Sequence, residues 1–178
     1  MNNTFLEGNL LFKFSETQIF EKFDDNKNVP QGMKSVDFIV DDRETVYFIE
    51  VKDYQNPKAK PERRCEDYKM LLNACYEKDT IYNLEMGQKI KDSLLRKYAL
   101  GEKIINKIVF LLLINFDNLG SNERRILYER ICGYIPTGLN DERYKNFSKI
   151  SFNLVDIEQL KLYNILCTEI NKLKTGLI

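Results

Sequence analysis

Residues 36–52 read VDFIVDDRETVYFIEVK. Two apolar runs, Val36–Val40 and Val46–Val51, flank the polar tetrad Asp42-Arg43-Glu44-Thr45. Both runs are rich in β-branched and aromatic residues and have strand length, so the stretch reads as an antiparallel hairpin. Three charges interrupt it: Asp37 in the first run, Glu50 and Lys52 in the second. A strand alternates faces, so Glu50 and Lys52 share one face and Val51 turns to the other. With residues 42–45 as the loop, Asp37 falls opposite Glu50, their Cβ atoms about 5 Å apart. Like charges so placed repel, and apolar neighbours worsen the repulsion by excluding water. A divalent cation between the two carboxylates would reverse its sign. Lys52, one strand repeat or about 6–7 Å along, would then face whatever the cation holds. The plainer alternative is a salt-bridged edge hairpin in which Lys52 neutralises Glu50.

The chain has 178 residues, 43% of them hydrophobic and 30% charged, which suits one globular domain spanning residues 1–178. Lys plus Arg equals Asp plus Glu at 27 each. A nucleic-acid-binding face would therefore have to come from local segregation of charge. There is no histidine. That removes His-activated nucleophiles, HNH-type chemistry and His-ligated zinc, and leaves acid–base work to carboxylates, lysine, tyrosine or metal-bound water. Cys65, Cys75, Cys132 and Cys167 form no C-x-x-C pair and read as reduced, mostly buried thiols. The longest apolar run, Ile108–Ile114, is too short to span a membrane, and the first residues carry no targeting pattern. A cytoplasmic location is the expectation.

Around the hairpin the pattern alternates strand and helix. Leu10, Phe12 and Phe14 alternate with Leu11 and Lys13 as in a strand. Ser15 with Gln18 reads as a capping box opening a helix, or else Gln18–Phe23 is a second strand returning on the first; the strand is favoured. Residues 26–35 form a loop. Beyond the hairpin, Pro61 suits the first turn of a helix carrying Tyr68, Leu71, Leu72 and Cys75. A second helix, starting near Asp79 or Asn83, carries Met86, Ile90, Leu94, Leu95 and Tyr98 and ends near Gly101. Residues 107–116, KIVFLLLINF, are apolar throughout, as in a strand covered on both faces. Ser121 caps a helix through Ile131, and Phe152–Val155 is a last strand. Asp156 and Gln159 then cap a terminal helix that buries Ile157, Leu160, Leu162, Ile165, Leu166, Ile170 and Leu173. This alternation predicts an α/β three-layer sandwich, a mixed central β-sheet flanked by helices on both faces.

An Asp, then a short strand ending in Glu-x-Lys followed at once by Asp53, resembles the PD-(D/E)xK nuclease superfamily, the restriction-endonuclease-like fold, in a bacterial branch of it. Asp37, Glu50, Val51 and Lys52 carry the resemblance, which extends over roughly residues 34–116. The Pro that often precedes the Asp in that superfamily is Val36 here. The resemblance implies hydrolysis of a nucleic-acid phosphodiester with Asp37, Glu50 and Lys52 as catalytic residues. Asp37, Glu50 and the Val51 carbonyl would hold Mg²⁺ (or Mn²⁺), a hard cation that oxygen ligands suit. An accessory acid often precedes the core Asp; Glu16, Glu21, Asp24 and Asp25 are candidates, with Glu21 and Asp25 favoured, against a bland reading as surface acids. The segment GQKIKDSLLRKY is similar to a helix of bacterial members with an EVKD-type strand, which would bring Lys89 and Asp92 near the site; otherwise the two form a surface ion pair. Lys58, Lys60, Arg63 and Arg64 cluster just past the hairpin and are candidate phosphate contacts, or simply a solvated loop and helix start.

Two other classes remain open. One is a non-catalytic module that keeps the fold for protein contacts, as in a bacterial defence or toxin system. The other is an unrelated enzyme or regulator whose charged triad is only an ion-pair network. The partner expected for the nuclease is DNA or RNA, with a homodimer or a protein partner supplying any target choice, and no membrane.

Overall fold

The computed structural model describes residues 3–24, 29–77, 85–101, 107–137, 141–144 and 149–174. In chain order the strands are β1 (Thr4–Glu7), β2 (Leu10–Phe14), β3 (Ile19–Lys22), β4 (Phe38–Asp42), β5 (Thr45–Asp53), β6 (Lys107–Asn115), β7 (Ile150–Val155) and β8 (Ile165–Glu169). The helices are α1 (Pro61–Tyr76), α2 (Met86–Ala99), α3 (Ser121–Cys132) and the short α4 (Ile170–Lys174). A mixed five-stranded sheet has the order β3-β4-β5-β6-β7, and a smaller antiparallel sheet the order β1-β2-β8.

The hairpin forms in the expected register. Asp42 pairs Thr45 and Phe38 pairs Ile49, so the connection is the two residues Arg43 and Glu44, with Arg43 in the left-handed region at φ 51. Continuing this register sets Asp37, one residue before β4, against Glu50. From β5 the chain crosses through α1 and α2 to β6, which lies parallel to β5, and then through α3 to β7, parallel to β6. Such parallel neighbours need a long crossover and have both faces covered. β6 meets that demand by burying every residue from Ile108 to Asn115.

One face of the large sheet packs Ile39, Val46, Phe48, Ile108, Phe110 and Leu112 under the three longer helices, through Leu71, Ile90, Leu94 and Leu127 among others. The opposite face packs Phe38, Val40, Ile49, Val109 and Leu111 on Leu10, Phe12, Phe14, Ile165 and Cys167 of the small sheet. The fold is thus α/β with a mixed sheet and flanking helices, as expected. Its second cover, however, is largely β-sheet where helices were expected.

Three local expectations change. Ile19–Lys22 is a strand, but it pairs with β4, not with β2. Its capping-box signal is spent on a turn: the Ser15 amide donates to Gln18 Oε1 at 3.0 Å, and Gln18 turns inward to Asp42 Oδ2 and the Tyr163 carbonyl. At α3 the N-cap is Gly120, with Ser121 the first helical residue. The expected terminal helix is the largest difference. Asp156 and Gln159 do form reciprocal capping bonds, at 3.0 and 2.9 Å. They open only a 3-10 turn, Gln159–Tyr163, which Asn164 ends at φ 58. Residues 165–169 then alternate inward and outward and pair with β2. Strand β1 was not foreseen at all. The remaining features hold: Pro61 stands in the first turn of α1, and Gly101 follows α2 at φ 77. The expected starts of the second helix, Asp79 and Asn83, lie outside the described residues. The four cysteines are free, with Cys75 and Cys167 buried, Cys132 partly so and Cys65 exposed. Among the described residues no helix is long and apolar enough to cross a membrane.

Phe38 ties the two sheets together. It is fully buried, with ring centroids of Phe12, Phe5 and Phe14 at 5.0, 5.4 and 5.9 Å. Phe38→Ala should cost about 3–5 kcal/mol in urea unfolding. A loss below about 1 kcal/mol would mean that the small sheet is not packed on the large one as described.

Candidate active site

Asp37, Glu50 and Lys52 meet on the helix-covered face of the sheet, beneath α2. Glu50 is 3% exposed, a carboxylate inside the middle strand of the large sheet. Its Oε1 accepts from Lys52 Nζ at 3.0 Å and from Lys89 Nζ at 2.5 Å. Its Oε2 is buried with no hydrogen-bond partner. Burial of one carboxylate between two ammonium groups is tolerable only because they compensate its charge. Burial also pulls the Lys52 ammonium towards its neutral form, but the Glu50 charge and hydrogen bond outweigh it, and Lys52 is held above the usual lysine range.

Asp37 is partly buried at the start of β4. Its Oδ2 accepts the Val51 amide at 2.6 Å, and its carbonyl accepts the Phe23 amide at 2.9 Å. Burial, then the Glu50 charge, push the Asp37 carboxyl up to about 7, against the opposing pull of Lys89, the Val51 amide and Lys52. The Val51 N–H points to the edge that β4 leaves open beyond Phe38. A strand residue's N–H and C=O face the same edge, so the Val51 carbonyl faces that opening too.

Helix α2 holds this arrangement from above with one polar face. Lys89 binds Glu50. Asp92 Oδ2 accepts the Lys34 amide at 2.9 Å, and Ser93 Oγ accepts the Val36 amide at 3.0 Å. Arg96 donates to the Phe23 carbonyl at 2.5 Å and lies 4.0 Å from the Phe23 ring centre. Residues 89, 92, 93 and 96 recur at helical spacing, so a single face clamps both the segment before Asp37 and Glu50 itself. Lys89 and Asp92 are therefore not paired with each other on the surface. Ser93 and Arg96 were not singled out in the sequence, although a polar i, i+3, i+4, i+7 pattern within an otherwise amphipathic helix is a signal that a second, polar surface is being covered.

The other candidates are spread more widely. Glu21, on β3, is exposed and binds Lys97 at 3.0 Å, apart from the Asp37–Glu50 group. Asp25 lies outside the described residues. Asp24 pairs with Lys22 at 3.5 Å, and Glu16 is exposed. Lys58, Lys60 and Arg63 are exposed on the loop and first turn that follow β5, whereas Arg64 is half-buried, its Nε without a hydrogen-bond partner. Glu7, which the sequence reading passed over, lies within reach of the Glu50 and Lys89 charges. Burial first, and then its acidic neighbours, raise its pKa. It closes β1 just before a Gly8-Asn9 turn, a dipeptide that between two apolar runs signals a hairpin. Asp53, next to Lys52, turns to the opposite face and accepts from Asn115 Nδ2 at 2.8 Å.

The donor set beside Lys52 is two carboxylates and a main-chain carbonyl, all hard oxygen. Among the described residues no cluster of three or more His, Cys, Asp and Glu side chains forms a metal cage. Glu50 Oε2 has no hydrogen-bond partner and burial with the Glu50 charge pushes Asp37 up, two costs that a cation held by both carboxylates would relieve.

Residues 1–85 match the DpnII restriction endonuclease family. The matched segment contains Asp37, Glu50, Val51 and Lys52 and supports a restriction-endonuclease-like nuclease. No curated protein and no solved structure matches the chain.

Because the folded protein keeps the Asp37 proton up to about pH 7 and the unfolded chain releases it near pH 4, folding binds a proton between those values. The Asp37 contribution to stability is therefore full below about pH 4 and lost as pH rises towards 7. In chelator-treated protein, Asp37→Asn should remove this decline, gaining on wild type from about pH 5 to about pH 8 in urea melts. Equal pH slopes for the two proteins would show that the carboxyl is solvated instead.

Proposed function

We propose that this chain is a metal-dependent nuclease that hydrolyses nucleic-acid phosphodiester bonds at the Asp37–Glu50–Lys52 site. The observation that carries the reading is the coincidence of two facts. The segment similar to a restriction endonuclease family contains a carboxylate pair, and that pair shares one sheet end with a lysine.

In this reading Asp37 and Glu50, with the Val51 carbonyl, would hold one divalent cation, Mg²⁺ or Mn²⁺. When bound, that cation acidifies water and neutralises charge building on the phosphate. Lys52 keeps a positive charge at the lip of the site, where a non-bridging phosphate oxygen becomes more negative as water adds to phosphorus. The bond from phosphorus to the departing sugar oxygen then breaks, leaving one phosphate end and one hydroxyl end. The Val51 amide fixes Asp37, so the first carboxylate does not have to reorganise during the reaction. Lys58, Lys60 and Arg63, exposed just downstream, would contact the nucleic-acid backbone and set register without reading bases.

A second reading draws on the ion pairs themselves. With Glu50 bound by two lysines, the group could serve as a closed structural network in a non-catalytic module that works through protein contacts.

The test is cleavage of plasmid, single-stranded DNA and RNA with Mg²⁺ or Mn²⁺, wild type beside Lys52→Ala. The nuclease reading expects metal-dependent cleavage of at least one substrate, reduced about 10²–10³-fold or more in the variant. Cleavage that persists undiminished in Lys52→Ala places the chemistry elsewhere. No cleavage of any substrate favours the non-catalytic module.

A further inference from the structure

Lys89 stands outside the segment similar to the restriction endonuclease family, yet it makes the closer of the two lysine contacts to Glu50. Its side chain is 16% exposed against 29% for Lys52, so it is the better shielded of the pair. It also reaches Glu50 from a different element, α2, whereas Lys52 shares the strand. We infer that Lys89 is an internal stand-in for the divalent cation: its ammonium holds the Glu50 carboxylate, and an incoming cation must compete with it. This inference rests on the metal-binding reading of the site.

The charge balance carries the argument. Two ammonium groups, Lys52 and Lys89, already face the single Glu50 carboxylate, so its charge is balanced before any cation arrives. A divalent cation added beside these ammonium groups leaves an excess of positive charge in a place with little water to screen it. Like charges at such short range repel, whichever Glu50 oxygen the cation takes. Lys89 Nζ, already on Oε1, is the charge most directly in the way.

The rest of α2 makes this competition possible without loss of the fold. Asp92, Ser93 and Arg96 fasten the helix to residues 23 and 34–36 through separate bonds. The long lysine side chain can therefore leave Glu50 while the helix stays seated. A neutral substitution should free the carboxylate for the cation while leaving those anchors in place. Lys89 acts here through Glu50, as a positioning residue, and touches no reacting atom in this account.

The experiment is calorimetric titration of Mn²⁺ into chelator-treated full-length protein. Lys89→Met and Lys89→Gln should each bind Mn²⁺ about tenfold or more tighter than wild type, because a neighbouring positive charge is gone. Lys89→Arg, which keeps the charge, should stay within about threefold of wild type. Glu50→Gln should abolish the binding in all backgrounds. Thermal melts give a second readout: Mn²⁺ should raise the midpoint of the two neutral variants by more than it raises wild type. Lys89→Gln retains a hydrogen-bond donor for Glu50 and covers the case in which Lys89→Met does not fold. Glu50-dependent Mn²⁺ binding that neither neutral variant tightens would overturn the inference and leave the proposed function standing. Absence of Glu50-dependent Mn²⁺ binding in wild type and in both neutral variants would overturn the two together.

Discussion

A carboxylate inside a sheet has to be compensated, and in this protein much of the architecture around the site follows from compensating Glu50. The strand that carries it is hydrogen-bonded on both sides, to β4 and to β6, and apart from Lys52 its helix-side face is apolar. Water cannot serve as the counter-charge there. The two lysines that do so come from the same strand and from α2, so α2 must cross the sheet above Glu50. Once it does, its inner face cannot be wholly apolar. Asp92, Ser93 and Arg96 occupy that face and bond the chain entering β4. Asp37 is thereby set at the mouth of the hairpin by the same helix that neutralises its neighbour.

Strand β5 separates two kinds of polar chemistry by its pleat. Glu50 and Lys52 face the helices, while Asp53 faces the small sheet. There Asn115 Nδ2 links Asp53 Oδ1 and Glu169 Oε1, at 2.8 and 3.0 Å, and Lys172 pairs with Glu169. That second network joins β5, β6 and β8 and is spent on holding the layers together. Each network keeps a buried carboxylate oxygen without a hydrogen-bond partner, Glu50 Oε2 in the first and Asp53 Oδ2 in the second. Adjacent residues of one short motif thus serve different ends because a strand sends neighbours to opposite faces.

The sequence was most legible where the determining contacts are local. The hairpin register follows from two apolar runs and a short polar connection, and that register sets Asp37 against Glu50. β6 was legible because eight consecutive buried residues leave little room for polar side chains. The inner face of α2 was less so, since Lys89, Asp92 and Arg96 look like a solvated helix surface until something polar is placed beneath them. β8 was misread for a different reason. Leu160, Ile165 and Leu166 are compatible with a helical stripe, and the Asp156–Gln159 bonds are a true helix-opening signal. Asn164, left-handed at φ 58, stops that helix after one short turn, and the residues beyond it pair with the edge of β2, a partner too far away in sequence to leave a local trace. The segment similar to a restriction endonuclease family, residues 1–85, contains the hairpin that carries Asp37, Glu50 and Lys52.

The small sheet has a consequence for how the molecule comes into being. Its central strand, residues 10–14, is held on one side by a hairpin partner a few residues away and on the other by residues 165–169. Loops that long close slowly, and contacts so distant in sequence delay folding. During synthesis the hairpin of β4 and β5 can form early, but the layer that buries Phe38 and Ile49 is incomplete until β8 has left the ribosome. The charged site would therefore sit in a half-covered sheet until residues 165–169 have been made.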